Sequence, residues 1–388
     1  MPRVLFIDVA PFAGGAQASF RTLVECAAGC EKALAVGNGL WEWASCVCGA
    51  KSATFGCGAK SVCCVCGAKS AAESRETMEM RGLCPALKLN TSHWRATLGG
   101  FLQYCLECWK NRAPLLNFIR QFKPDIIHCN TVRSALLLCA LPRLEARIIV
   151  HDRDLRMPSL ARHHVARKLF PFIFAVSSTV CEKWREIVPD DHRTILPNGF
   201  DLEAIAQTKP ALPDARDTIV IAADFEPWKH HRLFLEAIAL AQKERPLLNA
   251  ILKGRVRPSS AEYLAKLRGF VQDQHLNNVR FVVDDTPALP WIASAQLLVT
   301  CSENEPFGRT AIEALALGKR VVATETALAP ELFQLDGVTR SSSSTVSLSN
   351  AILQSLDTPP PAPNLAPFSK AALAEALSKL SARIVMPQ

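Results

Sequence analysis

The chain has 388 residues, 49% hydrophobic and 21% charged, a globular balance at a length too great for one compact core. Its net charge of +8 sits at the front: Met1 to Asn198 carries 25 Lys and Arg against 16 Asp and Glu, the remainder 19 against 20. That excess suits an acidic ligand, an anionic membrane surface or a solvated basic face, while the lack of an apolar run near the roughly 18 residues of a membrane span argues against an integral helical membrane protein.

The opening MPRVLFIDVA reads as a short strand. It carries Asp8 and lacks the long apolar core of a signal peptide, so a cytoplasmic protein is expected, peripheral at most to the inner face of the membrane. PFAGGAQASFRTLVECA follows as a Gly-Gly turn and a helix. PDIIHCN, ARIIVHD and FIFAVSS are unbroken apolar strands rather than alternating ones, the pattern of strands covered on both faces of a parallel sheet. Helices are expected between them, at Ala113 to Phe122 and Ser134 to Leu144, giving the βαβ rhythm of a doubly wound fold.

Between the second and third strands lies CVCGAKSATFGCGAKSVCCVCGAKS, a low-complexity insertion at about residues 45–72 with six of the 15 cysteines. Zinc sites usually show two Cys-x-x-Cys pairs. Here Cys46-x-Cys48, a lone Cys57 and Cys63-Cys64-x-Cys66 offer poor geometry, and no metal is expected. The odd cysteine total argues against a disulfide framework.

After a Pro-Asn-Gly turn near Pro197 to Asp201 the rhythm restarts. DTIVIAADF is a strand, HRLFLEAIALAQKERP a helix, LNAILKG a strand, Ala261 to Gln274 a helix, and VRFVVDD and AQLLVTC are strands. A Pro-rich linker, DTPPPAPNLAP, leads to an amphipathic helix at Ser369 to Leu380. The expected organisation is an acceptor-side Rossmann-like domain over 1–198, a nucleotide-sugar-binding one over 199–365, and a final helix, 366–388, returning to the first.

SENEPFGRTAIEALALGKRVVAT, Ser302 to Thr324, carries the clearest chemistry. A strand delivers Glu303 and Glu305 to its carboxyl end, where ligands of open α/β sheets bind. Pro306-Phe307-Gly308 turns the chain into a helix whose first N–H groups lack internal partners and can hold a phosphate. Arg309, Thr310 and Glu313 share one stripe of that otherwise apolar helix. Glu313 therefore needs a hydrogen-bond partner, either Arg309, solvent or a ligand hydroxyl.

ENEPFGRTAIEALALGKRVVAT resembles the donor-site motif of family 4 glycosyltransferases, which have the GT-B fold of two facing Rossmann-like domains. GGAQASFRTLVE, PDIIHCN, IIVHD, FAVSSTVCEKW, ILPNGFD, EPWKHHRLFLEAI and PELFQLDGVT resemble further family signposts, in family order. The resemblance implies a retaining transfer of a sugar from a nucleotide-sugar donor to a glycan, lipid-linked or small-molecule acceptor, with no cofactor or catalytic metal and no nucleic acid. It implies that Glu305 binds donor-sugar hydroxyls, Glu313 the ribose, and Lys229 the diphosphate. The Phe307-Gly308 turn, with Arg309 and Thr310, would complete the donor site.

On the first domain the resemblance implies that His151 reaches the donor sugar across the cleft, with His128 a weaker candidate; Gly14 and Gly15 after the first strand permit close backbone approach to a ligand, and Asn198 with Gly199 belongs to the interdomain turn at the cleft. One position departs from the family: Asp224 stands where an arginine partners the lysine. Arg309, Lys253 and Arg255 are the candidate substitutes. A catalytically inactive relative and a nucleotide-sugar epimerase on the same fold stay open as alternatives. RHHVARKLF, Arg162 to Phe170, is a basic stretch with an apolar side that suits an anionic acceptor, lipid headgroups or solvent.

Overall fold

The computed structural model describes residues 1–9, 15–37, 44, 80–84, 98–213 and 217–385. Gly14 and the cysteine-rich insertion, including its six cysteines and the question of zinc, lie outside the described residues.

Two parallel sheets organise the chain. The first holds β1 (Arg3–Asp8), β2 (Glu31–Val36), β3 (Met80–Leu83), β4 (Ile126–Cys129), β5 (Arg147–Asp152), β6 (Phe172–Ala175) and β7 (Arg193–Ile195), in the order β3-β2-β1-β4-β5-β6-β7. The second holds β8 (Thr218–Ala222), β9 (Asn249–Gly254), β10 (Val279–Val283), β11 (Leu297–Thr300), β12 (Arg320–Thr324) and β13 (Val338–Ser341), in the order β10-β9-β8-β11-β12-β13. Their apolar runs are buried because helices cover both faces: β4 and β8 are buried at every residue. These are the two Rossmann-like halves of a GT-B fold.

Sheet order fixes where a ligand can go. Strand order reverses beside β1 and β4 in the first sheet, and beside β8 and β11 in the second. A crevice opens at the carboxyl ends of such neighbours. Asp8 and Asn130 stand at the first switch point, and the segments from Ala223 and from Cys301 leave the second.

The chain crosses between halves twice, and the crossings run side by side. Phe200 N–H donates to the Phe368 carbonyl at 2.8 Å, and Lys370 N–H to the Phe200 carbonyl at 2.9 Å. The final helix, Lys370–Val385, buries Leu373, Leu377 and Ile384 in the same cluster as Val4, Phe6, Phe20 and Phe174 of the first half. A second cluster mixes Val176 and Val180 with Phe307, Ile312, Leu328 and Phe368. The nine described cysteines are free thiols.

Candidate active site

The second-sheet wall is built from two loops. After β8 the chain runs through Ala223 and Asp224 to a short 3-10 turn, Pro227–Lys229, and His230 takes φ 50° before the helix His231–Glu244 begins. After β11 it runs through Glu303 and Glu305 to Gly308, at φ 107°, which starts the helix Arg309–Ala316. Because β8 and β11 are neighbours, the loops meet: Lys229 Nζ lies 2.6 Å from Glu305 Oε2, and Lys229 also sits 3.8 Å over the Trp228 ring. Glu303 N–H donates to the Trp228 carbonyl, and Glu305 N–H to Thr326. The two residues with complementary expected roles are therefore held against each other.

Gly308 is required at its position. A Cβ there would lie 2.3 Å from Leu328 Cδ2, and the left-handed backbone disfavours any other residue. Phe307 turns its ring inward, stacked on Phe200 at 6.3 Å, so a ligand can meet only its backbone. Thr310 is half-buried in the first turn. Glu313 accepts from Arg309 at 3.3 Å, and burial raises its carboxyl above the ordinary range although Arg309 opposes the shift.

Arg309 joins the walls. Its Nη1 donates to Ser19 Oγ at 2.5 Å, its Cδ lies 3.3 Å from where a Cβ of Gly15 would stand, and its guanidinium covers Phe200 at 4.9 Å. Arg156, from the loop after β5, stacks 4.0 Å over Trp228, and Glu331 accepts from the N–H and hydroxyl of Ser178. All three contacts join the two halves.

The first-sheet wall differs from the sequence expectation. His151 is fully buried and does not open onto the cleft. Its Nε2 faces the Leu196 carbonyl at 3.2 Å, and Arg153 donates to its Nδ1 at 3.1 Å. The ring is neutral, because burial first and then Arg153 and His128 push its pKa well below the usual value. Arg153, two residues on, covers the Nδ1 edge of the ring. His128 is likewise enclosed, stacked on Phe6 at 5.6 Å, with its pKa pushed down to about 3 by burial. Asn198 is buried and accepts a hydrogen bond from Arg153. Gly15 begins the first helix, Gly15–Cys26.

Two candidate substitutes for the family arginine are engaged with acids of their own. Lys253 is almost wholly buried and tied to Asp284, whose carboxylate it holds at about pKa 2. Arg255 is committed to Asp224, with Nε to Oδ1 at 3.0 Å and Nη2 to Oδ2 at 2.9 Å. Arg257 adds a longer contact to Asp224 at 3.9 Å. The stretch Arg162 to Phe170 splits: Arg162 is buried on Asp152, while Phe170 and the neighbouring Leu160 are 62% and 80% exposed beside exposed Arg167 and Lys168.

A model described as Glycosyltransferase Family 4 matches residues 86–204, and one described as Glycosyl transferases group 1 matches residues 204–371. The chain belongs to this family of glycosyltransferases. A D-inositol 3-phosphate glycosyltransferase of Jonesia denitrificans is 35% identical over 117 residues, which span 28% of this chain and only 27% of that protein. Among solved structures, Anabaena Alr3699/HepE in complex with UDP and glucose matches with TM-score 0.70 at 16% identity, over 99% of this chain and 100% of that one. Sucrose-phosphate synthase of Thermosynechococcus elongatus matches with TM-score 0.67 at 16% identity, over 99% of each chain. At these identities the structures speak for the fold. No described helix is long and apolar enough to cross a membrane.

Proposed function

We propose that the chain is a retaining glycosyltransferase that moves a sugar from a nucleotide-sugar on the second-sheet wall to a glycan, lipid-linked or small-molecule acceptor on the first-sheet wall, without a catalytic metal. The observation that carries this reading is the Lys229–Glu305 pair beside the Gly308 turn, at the carboxyl ends of two neighbouring strands. Glu305 would release Lys229 and accept from vicinal sugar hydroxyls, since a carboxylate can take two such hydrogen bonds at once. The freed ammonium and the first-turn N–H groups of the helix Arg309–Ala316 would stabilise the departing diphosphate. Glu313 would accept from the ribose once Arg309 moves aside. In the retaining step the acceptor oxygen bonds to the anomeric carbon on the face from which the phosphate leaves, and the departing phosphate oxygen takes the acceptor proton.

Family membership supports a sugar donor, and the UDP-bound and UDP-glucose-bound neighbours support a uridine nucleotide among the candidates. Binding would close the two halves, exclude water and protect the donor from hydrolysis.

The test is nucleotide release from UDP-, GDP- and ADP-sugars, with and without saccharide and glycolipid acceptors, plus an EDTA arm. Acceptor-dependent release that survives EDTA and falls about 10- to 100-fold in Glu305→Ala is expected, the scale of lost hydrogen bonds to a charged group. Silence across the panel, with no thermal shift from any nucleotide, would transfer the case to an inactive relative. Turnover of a donor without any acceptor would favour an epimerase.

A further inference from the structure

Arg153 has no part in the chemistry above, yet the first-sheet wall is built around it. A guanidinium has five N–H donors. Three are spent: Nε on Asn130 Oδ1 at 2.9 Å, one on Asn198 Oδ1, and one on His151 Nδ1 at 3.1 Å. All three acceptors are neutral. Asn130 is oriented for this task, because its amide N–H₂ donates to the buried Asp8 carboxylate and its carbonyl must then face Arg153. Asp8 itself also receives Gln17 at 3.2 Å, and Asp152 is consumed by Arg162 and Trp184, each at 2.9 Å. Arg153 thus forms no ion pair among the described residues, although a half-buried cation is costly without one.

The opposing wall adds a second guanidinium. Arg309 lies on Ser19 and Phe200, next to the Ala16-bound Asn130 and to Asn198 that hold Arg153; burial first, then Arg309, push the Arg153 pKa down to about 9, with Asp8 and Asp152 opposing the shift. Two arginines facing each other, one with two unspent N–H groups, match the forked acceptor geometry of a phosphoryl group far better than that of a neutral sugar. Such an anion would relieve their repulsion.

We propose that Arg153, positioned by Asn130 and Asn198 and facing Arg309, forms a phosphoryl-binding subsite for a phosphate group borne by the acceptor, separate from the donor diphosphate site at Lys229. Assigning the phosphate to the acceptor rests on the glycosyltransferase reading; phosphate binding itself does not.

Calorimetric titration of the full chain with inorganic phosphate, at constant ionic strength and with or without saturating UDP, tests this directly. Wild type should bind phosphate at millimolar concentration, and should still do so with UDP bound. Arg153→Gln should weaken binding at least about tenfold, and Arg153→Lys, which keeps the charge and loses the fork, should also weaken it. Displacement by UDP would give the phosphate to the donor site and overturn the proposal. So would absence of binding by wild type, or unchanged affinity in either variant that folds. Transfer activity is read separately: phosphate binding without any turnover refutes the glycosyltransferase reading alone, and turnover without phosphate binding refutes the subsite alone.

Discussion

Asp224 occupies the position at which the family resemblance calls for an arginine, and the fold shows what stands in its surroundings. Arg255 grips Asp224 through Nε and Nη2, with Arg257 nearby, so this corner of the donor wall carries an acid inside a basic frame. Restoring the family residue alone should therefore harm the protein. Asp224→Arg would set three arginines together, and a fall in denaturation midpoint worth about 1 kcal/mol is expected for this part-exposed cluster. The exchange Asp224→Arg with Arg255→Asp should recover most of the loss and place a cation where the family has one. Paired thermal melts of the two singles and the double measure this coupling, and a single Asp224→Arg as stable as wild type would sink it. Residue roles of this kind were only partly legible. Glu305 and Lys229 could be singled out because a motif surrounds each, and the fold brings them together. Arg153 could not, because its partners Asn130 and Asn198 are distant in sequence and nothing local marks a guanidinium held by amides. The enclosure of His151 was not legible for a related reason: strand-end position is visible in a sequence, while the neighbours that cover the ring are not.

At the scale of elements, glycines do more than punctuate. Gly254 ends β9 beside the donor wall, and a Cβ there would fall 1.9 Å from the Ala223 carbonyl oxygen, a backbone atom with nowhere to go. Gly254→Ala should cost about 2–3 kcal/mol by overpacking and push Asp224 out of reach of Arg255. Gly269, within the helix Ala261–Asp273, meets nothing within 4 Å, so Gly269→Ala should be neutral or gain about 0.5–1 kcal/mol. Urea midpoints for the two variants should move in opposite directions or differ by that margin; equal values would contradict the packing account. The elements were legible where apolar runs were unbroken, as in β4, β5 and β8. The sequence pattern predicts a helix over Ala113 to Phe122, whereas the helix spans Leu98–Phe122 with Pro114 inside it. The structure runs the helix through it, sacrificing one backbone donor.

Across the whole molecule, the repeated strand–helix rhythm disclosed two sheets, but not how the halves hold together. Arg309 on Ser19, Arg156 on Trp228, Glu331 on Ser178 and the returning helix join residues more than 70 positions apart, and no local pattern encodes them. The same deep packing leaves an acid weakness distributed over both halves. His128 and His151 in the first half and His231 in the second are all buried and neutral. Burial pushes His231 down to about 4, with a smaller opposing contribution from its hydrogen bond to the Ala223 carbonyl. Each folded pKa lies below the unfolded value of about 6.5. As pH falls through 6.5, the unfolded chain takes up protons that the fold refuses, so stability drops, by about 1.4 kcal/mol per pH unit for each histidine at full slope. For His231 the loss runs until pH reaches about 4, where the folded ring titrates too. The carboxyls of Asp152 and Glu313, raised by burial, act in the opposite sense, so a single pH profile mixes the two effects. A difference separates them. His231→Gln keeps a donor for the Ala223 carbonyl and removes one titrating ring. Between pH 7.5 and 5.5 its urea midpoint should fall less steeply than that of wild type, by about a third of the histidine contribution. Parallel profiles would mean that the His231 ring takes a proton inside the fold as readily as in water, which its enclosure between Phe225 and Tyr263 forbids.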